Sequence, residues 1–172
     1  MRPNIALIGF MGTGKSAVGL ELSRRLGLDL VEVDDLIAER AGKSIPEIFA
    51  DEGEAAFRAL EREAIAEVAL RRGAVISCGG GAVLEPENVD RLRRSSVIVL
   101  LTAPVEEILS RAARDGEARP LLNTKEREAR ARELLKRRQP LYLRAADYVV
   151  ETSGLEPGEV AEAIVECLRR EP

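Results

Sequence analysis

Residues 9 to 16 read Gly-Phe-Met-Gly-Thr-Gly-Lys-Ser, directly behind the apolar run Ile5 to Ile8 and directly ahead of the helical pattern Val18, Leu22 and Leu26. No other stretch restricts the fold as strongly. Gly9, Gly14, Lys15 and Ser16 satisfy the spacing G-x-x-x-x-G-K-[ST] between a strand and a helix, the context in which that spacing carries physical meaning. The glycines let the backbone curl so that successive N–H groups and a helix N-terminus face an anion that side chains would otherwise obstruct. Lys15 is then placed to neutralise terminal phosphates and the Ser16 hydroxyl to ligate Mg2+. The segment predicts a strand, loop and helix built around the phosphate tail of a nucleotide.

Such a unit belongs in a parallel sheet, and the rest of the chain supplies one. Short, nearly continuous apolar runs at Ile5 to Ile8, Leu30 to Val33, Ala74 to Ser77, Val97 to Leu101 and Tyr148 to Val150 have the pattern of strands covered on both faces. Helical periodicity fills the intervals, at Phe57, Leu60, Ala64, Ile65 and Val68, at Val105, Ile108 and Leu109, and at Val160, Ile164, Cys167 and Leu168. The expected class is therefore α/β, with helices on both faces of the sheet. Ser44 ahead of Ile45-Pro46-Glu47 predicts a helix N-cap, and Pro157 is expected to open the last helix. At 172 residues the chain is expected to be one domain. Residues 111 to 126, charged and carrying Gly116 and Pro120, are expected to form a mobile flap before a long helix from about Lys125 to Leu143.

Composition excludes several classes. A net charge of −4 is wrong for a general nucleic-acid binder, and no apolar run approaches the roughly 20 residues of a membrane helix. With no histidine, imidazole catalysis and His-ligated metals are ruled out. Cys78 and Cys167 lack metal-ligand spacing and read as reduced, buried thiols. The N-terminus meets glycine and Lys15 too soon for a secretory signal, so a cytoplasmic location is expected.

Two further features lie where a parallel sheet exposes its carboxyl ends. "VEVDD" puts Glu32, Asp34 and Asp35 beside the phosphate loop, as holders of Mg2+ or a substrate hydroxyl, or as caps of a helix starting near Leu36. "CGGGAV" sets Gly79, Gly80 and Gly81 in a row, which implies either a close approach of other groups or positive φ. Arg58, Arg119 and Arg138 are candidates for gripping an anion, but in so arginine-rich a chain nothing local singles them out. A guanine-reading N-K-x-D segment is absent.

Taken in order, "GFMGTGKS", "VEVDDLI", "GEAAFR", "CGGGAV", "RPLL" and "RQPLY" resemble the shikimate kinase family over nearly the whole chain. The resemblance implies a five-stranded parallel P-loop kinase fold with a lid at about 111 to 124, and transfer of the γ-phosphoryl of ATP to the 3-hydroxyl of shikimate, with Mg2+. It implies that Gly12, Thr13, Gly14, Lys15, Ser16, Ala17, Arg111 and Arg119 bind ATP, with Arg119 reaching over the phosphates from the lid. Asp34 would hold the shikimate hydroxyls, Arg58 and Arg138 its carboxylate, and Gly79 to Gly81 would line the pocket with amides. Lys15, Asp34 and Arg119 would serve catalysis, and Ser16 would hold Mg2+ with Glu32 and Asp34 reaching it through water. A monomer in the cytoplasm is expected, with small-molecule ligands and neither nucleic-acid nor membrane partners. The chain departs from the family in carrying Glu32 where Asp is usual and Arg144 where an acid is common. Two alternatives stand beside this reading: a kinase of the same fold for another hydroxy acid, such as a gluconate kinase, or a nucleotide-binding protein without catalysis.

Overall fold

A computed structural model describes residues 3–114 and 125–170. Five strands, β1 (Asn4–Ile8), β2 (Asp29–Glu32), β3 (Ala74–Ser77), β4 (Ser96–Thr102) and β5 (Tyr148–Glu151), form one parallel sheet in the order β2-β3-β1-β4-β5. The helices are α1 (Lys15–Leu26), α2 (Val33–Ala41), α3 (Ile45–Val68), α4 (Pro86–Arg93), α5 (Val105–Arg114), α6 (Lys125–Ala145) and α7 (Pro157–Arg169).

Strand side chains alternate between two cores, which is why their sequences are apolar without interruption. Ile5, Leu7, Val75, Val99 and Leu101 face α1 and α7, where Val18, Leu22, Val160, Ala161 and Ile164 are buried. Ala6, Ile8, Ile76, Ile98 and Leu100 face the other layer, meeting Ile37, Ile48, Phe57, Ile65, Leu92 and Tyr142. Each fully buried Leu or Ile of this kind contributes about 2 kcal/mol. Among the described residues, no helix is long and apolar enough to cross a membrane.

Local signals explain most boundaries. Ser44 caps α3 through a capping box: Glu47 N–H donates to the Ser44 hydroxyl at 3.3 Å, and Ser44 N–H donates to the Glu47 carboxylate at 2.7 Å. Pro157 occupies the first turn of α7. The second strand begins and ends one residue earlier than the apolar run suggests, because Val33 belongs to α2 and spends its side chain on the core beneath that helix. Asp34 and Asp35 consequently sit inside the first turn; the N-cap is Glu32, whose side chain makes no capping bond. α4, unmarked by apolar periodicity, is opened by Pro86 and buries only Leu92 and Asn88. Residues 111–114 continue α5 instead of opening the flap, and residues 115–124, the rest of the predicted lid, lie outside the described residues.

Candidate active site

β2, β3 and β1 are neighbours, so the segments leaving their carboxyl ends lie side by side. They enclose a cleft of about 320 Å3, lined by Gly12, Gly14, Lys15, Ser16 and Ala17 after β1, by Glu32 and Asp34 after β2, and by Ser77, Cys78, Gly79 and Gly80 after β3. Glu32 and Asp34 thus meet the phosphate loop, whereas Asp35 is exposed and does not line the cleft.

The loop is preformed. Gly14, at φ 92 and ψ 21, is the N-cap of α1, and a Cβ at Gly9 would lie 2.5 Å from the Leu101 carbonyl, so neither position tolerates a side chain. Lys15 Nζ donates to the carbonyls of Gly9 (2.8 Å) and Phe10 (2.9 Å), which aims the ammonium across the mouth of the loop. Thr13 is turned inward: its buried hydroxyl donates to the Phe10 carbonyl at 2.8 Å, tying the loop together instead of lining the cleft. Arg111 braces the loop from α5, donating to the Gly12 carbonyl at 3.4 Å, to Thr152 Oγ1 at 3.0 Å and to Glu107 at 2.5 Å.

Beyond the loop, the three consecutive glycines each meet one of the three side chains expected to hold the acid. A Cβ at Gly79 would lie 2.8 Å from Asp34 Oδ1, one at Gly80 would lie 3.7 Å from Arg138 Nη1, and one at Gly81 would lie 2.4 Å from both terminal nitrogens of Arg58. None of the three glycines has positive φ, so close approach is what requires Gly79 and Gly81, while a Cβ at Gly80 would make only ordinary contacts. Gly81, which packs under Arg58, stands behind the cleft wall instead of on it.

Arg58 lies over the Phe57 ring, 5.2 Å from its centroid, and pairs with Glu61 at 2.8 Å. Glu61 is 0% exposed; burial raises its pKa above the ordinary 4.5 and the Arg58 charge pulls it back only in part. Among the described residues, Arg58 Nε, Arg138 Nε and Glu61 Oε2 are buried without hydrogen-bond partners. Neither arginine is among the residues lining the cleft of Lys15; their guanidinium groups lie against the glycine turn behind it, and planar forks of this kind suit a carboxylate. Tyr142, one helical turn after Arg138 on α6, donates its hydroxyl to the Gly80 carbonyl, and burial raises its pKa so that the phenol keeps its proton.

Glu32 faces Ser77 across the β2–β3 register and shares the cleft with Ser16. Burial raises its pKa, while the hydroxyls of Ser77 and Ser16 pull it down and the charges of Asp35 and Asp34 push it up. Among the described residues, no group of three or more Asp, Glu, Cys or His is placed to hold a metal. Ser16, Glu32 and Asp34 nevertheless give hard oxygen donors at the phosphate position, which fits Mg2+ held mainly by phosphate and water. Cys78 is 2% exposed although it backs the cleft, and burial with nearby carboxylates pushes its thiol up to about 12.

Arg119 lies outside the described residues. Glu61, Ser77 and Tyr142 were not singled out by sequence; a carboxylate four residues from both Phe57 and Ile65 in an apolar helical stripe was the available signal for Glu61.

The fold and the cleft together define a P-loop phosphotransferase whose acceptor pocket is built for a small acid. Comparison with known proteins narrows the class. A model of the shikimate kinase family matches residues 11–169. A shikimate kinase of Halorhodospira halophila is 48% identical over 168 residues, covering 98% of this chain and 94% of the relative. One from Thermodesulfovibrio yellowstonii is 44% identical over 167 residues, covering 97% and 95%. The structure of shikimate kinase from Acinetobacter baumannii in complex with shikimate superposes with a TM-score of 0.93 at 37% identity, covering 100% of this chain and 97% of that one. The chain belongs to the shikimate kinase family.

Proposed function

We propose that the chain transfers the γ-phosphoryl group of ATP to the 3-hydroxyl of shikimate, giving shikimate 3-phosphate and ADP. One observation supports the assignment of residues: Asp34, Arg138 and Arg58 converge on the turn Gly79 to Gly81, whose first two glycines line the cleft that holds Lys15.

Arg58 and Arg138 hold the substrate carboxylate through planar guanidinium forks, and Asp34 accepts hydrogen bonds from its hydroxyls. That places a hydroxyl on the side of Asp34 that faces Lys15. Because the transition state of phosphoryl transfer is loose, a strong base is not required, and Asp34 acts chiefly by orienting the nucleophile in line. The amides of Gly12 to Ala17 cradle the phosphates while Lys15 offsets charge as the bond to the leaving oxygen lengthens. Ser16, with Glu32 and Asp34 through water, would hold Mg2+, which would supply charge neutralisation on the phosphate oxygens. Arg119 completes the charge clamp from a lid that follows α5, and its closure excludes water. The enzyme works as a cytoplasmic monomer on these two small ligands.

A coupled assay of ADP formation tests the reading. With Mg·ATP, shikimate is expected to accelerate ADP release, and gluconate is not; equal rates with and without shikimate would overturn the assignment.

A further inference from the structure

The glycine turn that receives the three acid-binding side chains presents an unequal hydrogen-bonding face, and one tyrosine is responsible for its middle. The Gly79 carbonyl accepts from Ala82 N–H at 3.1 Å and the Gly81 carbonyl from Leu84 N–H at 3.0 Å, both as short-range bonds of the 3-10 turn at Ala82–Leu84. The Gly80 carbonyl falls outside that pattern, and among the described residues its partner is the hydroxyl of Tyr142. All three carbonyls are thus taken by protein donors. Among the described residues, the N–H groups of Gly79, Gly80 and Gly81 donate to no backbone carbonyl. In a trans peptide the carbonyl and the following N–H point in opposite directions, so fixing the Gly79 and Gly80 carbonyls also fixes where the Gly80 and Gly81 amides aim.

Resting on the function proposed above, we infer that Tyr142 is a positioning residue for the acid substrate. By holding the Gly80 carbonyl it keeps the turn a donor-only surface toward the carboxylate gripped by Arg58 and Arg138. The same hydroxyl also interacts with the Arg138 side chain, so it ties the guanidinium to the turn. The peptide between Gly80 and Gly81 has no Cβ on either side to resist rotation, so without the hydroxyl nothing keeps its carbonyl oxygen from turning toward the anion. Helix α6 delivers Arg138 and Tyr142 four residues apart, so the guanidinium and the clamp on the glycine it overlies move as one body. Tyr142 is 2% exposed, with its ring buried in the core, so removing only the hydroxyl leaves the packing intact.

The test is Tyr142→Phe, with wild-type turnover of shikimate as the control; failure of that control condemns the function and not the clamp. Loss of one buried hydrogen bond, together with exposure of a repelling carbonyl, is expected to raise the shikimate KM, and its calorimetric dissociation constant on nucleotide-free protein, roughly tenfold. The ATP KM is expected to change by less than about threefold, since the Lys15 loop is untouched. For the carboxamide of shikimate, which has no anion for the carbonyl to repel, the penalty is expected to shrink to about threefold or less. That ratio between acid and amide is independent of how much variant is folded, and Tyr142→Leu, which loses the hydroxyl in a differently shaped side chain, is expected to reproduce it. Unchanged shikimate affinity, an equal penalty for acid and amide, or a larger effect on ATP than on shikimate would each overturn the assignment.

Discussion

At the scale of single residues, the acid pocket depends as much on missing side chains as on those present. Arg58 can lie over Phe57 and against Glu61 only because residue 81 has no Cβ, and Asp34 reaches the cleft only because residue 79 has none. Gly81→Ala is therefore expected to displace the guanidinium and act like Arg58→Ala, each raising the shikimate KM by about tenfold or more, as truncation of a charged hydrogen bond of 1.5–3 kcal/mol implies. The ATP KM should stay within about threefold in both, measured by steady-state kinetics; matched increases for the two substrates would make Arg58 a structural residue. The sequence could propose Arg58 and Arg138 only through resemblance. Which guanidinium is buried is settled by Phe57, Glu61 and the glycine turn, groups that come together only in three dimensions. Glu61 was readable in principle, as a charge inside an apolar stripe, but its partner was not.

Among the elements, α3 shows how one residue can re-aim a helix. Gly53, at φ 82 and ψ 174, interrupts the helical backbone midway, so that Ile48 and the Phe57, Glu61 and Ile65 stripe can serve the core from two differently directed segments. That conformation is closed to other residues, while a Cβ there would meet nothing within 4 Å, so the cost of Gly53→Ala is conformational alone. A loss of about 1–3 kcal/mol is expected, with Arg58 shifted and shikimate binding weakened, and both are measurable by denaturant melts and calorimetry. The sequence disclosed the strands, the capping box of α3 and the Pro157 start of α7, because those depend on neighbours within a few residues. It misplaced the start of α2 by taking Val33 as strand, because an apolar residue at the strand–helix junction suits either element and only the core beneath decides. It passed over α4, whose burial is limited to Leu92 and Asn88.

For the whole molecule, the sheet order brings three strand ends together, with Glu32 at one of them and Glu61 of α3 packed beside Gly79, and the fold disfavours both carboxylates as anions. Glu61 and Glu32 both have pKa values raised chiefly by burial. For a group whose folded pKa exceeds its unfolded value of 4.5, the native state holds the proton longer; the stability this contributes is complete below 4.5 and is lost as pH rises through the folded value. Glu61→Gln, which cannot ionise, should therefore gain on wild type as pH increases from about 4 toward neutrality, the difference in Tm moving in favour of the variant across that window. A constant difference would mean that Glu61 ionises in the fold as it does in water. The cleft wall has another consequence, for anyone who would design covalent inhibitors. Its sulfhydryl, on Cys78, stands beside the phosphate loop yet stays almost wholly in the unreactive thiol form at physiological pH, since its pKa is about 12. Iodoacetamide is expected to spare Cys78 in native protein and to label it after unfolding, as peptide mass mapping would show. An electrophilic warhead aimed at that sulfur should find no nucleophile waiting, and binders for this cleft will gain nothing by reaching for it.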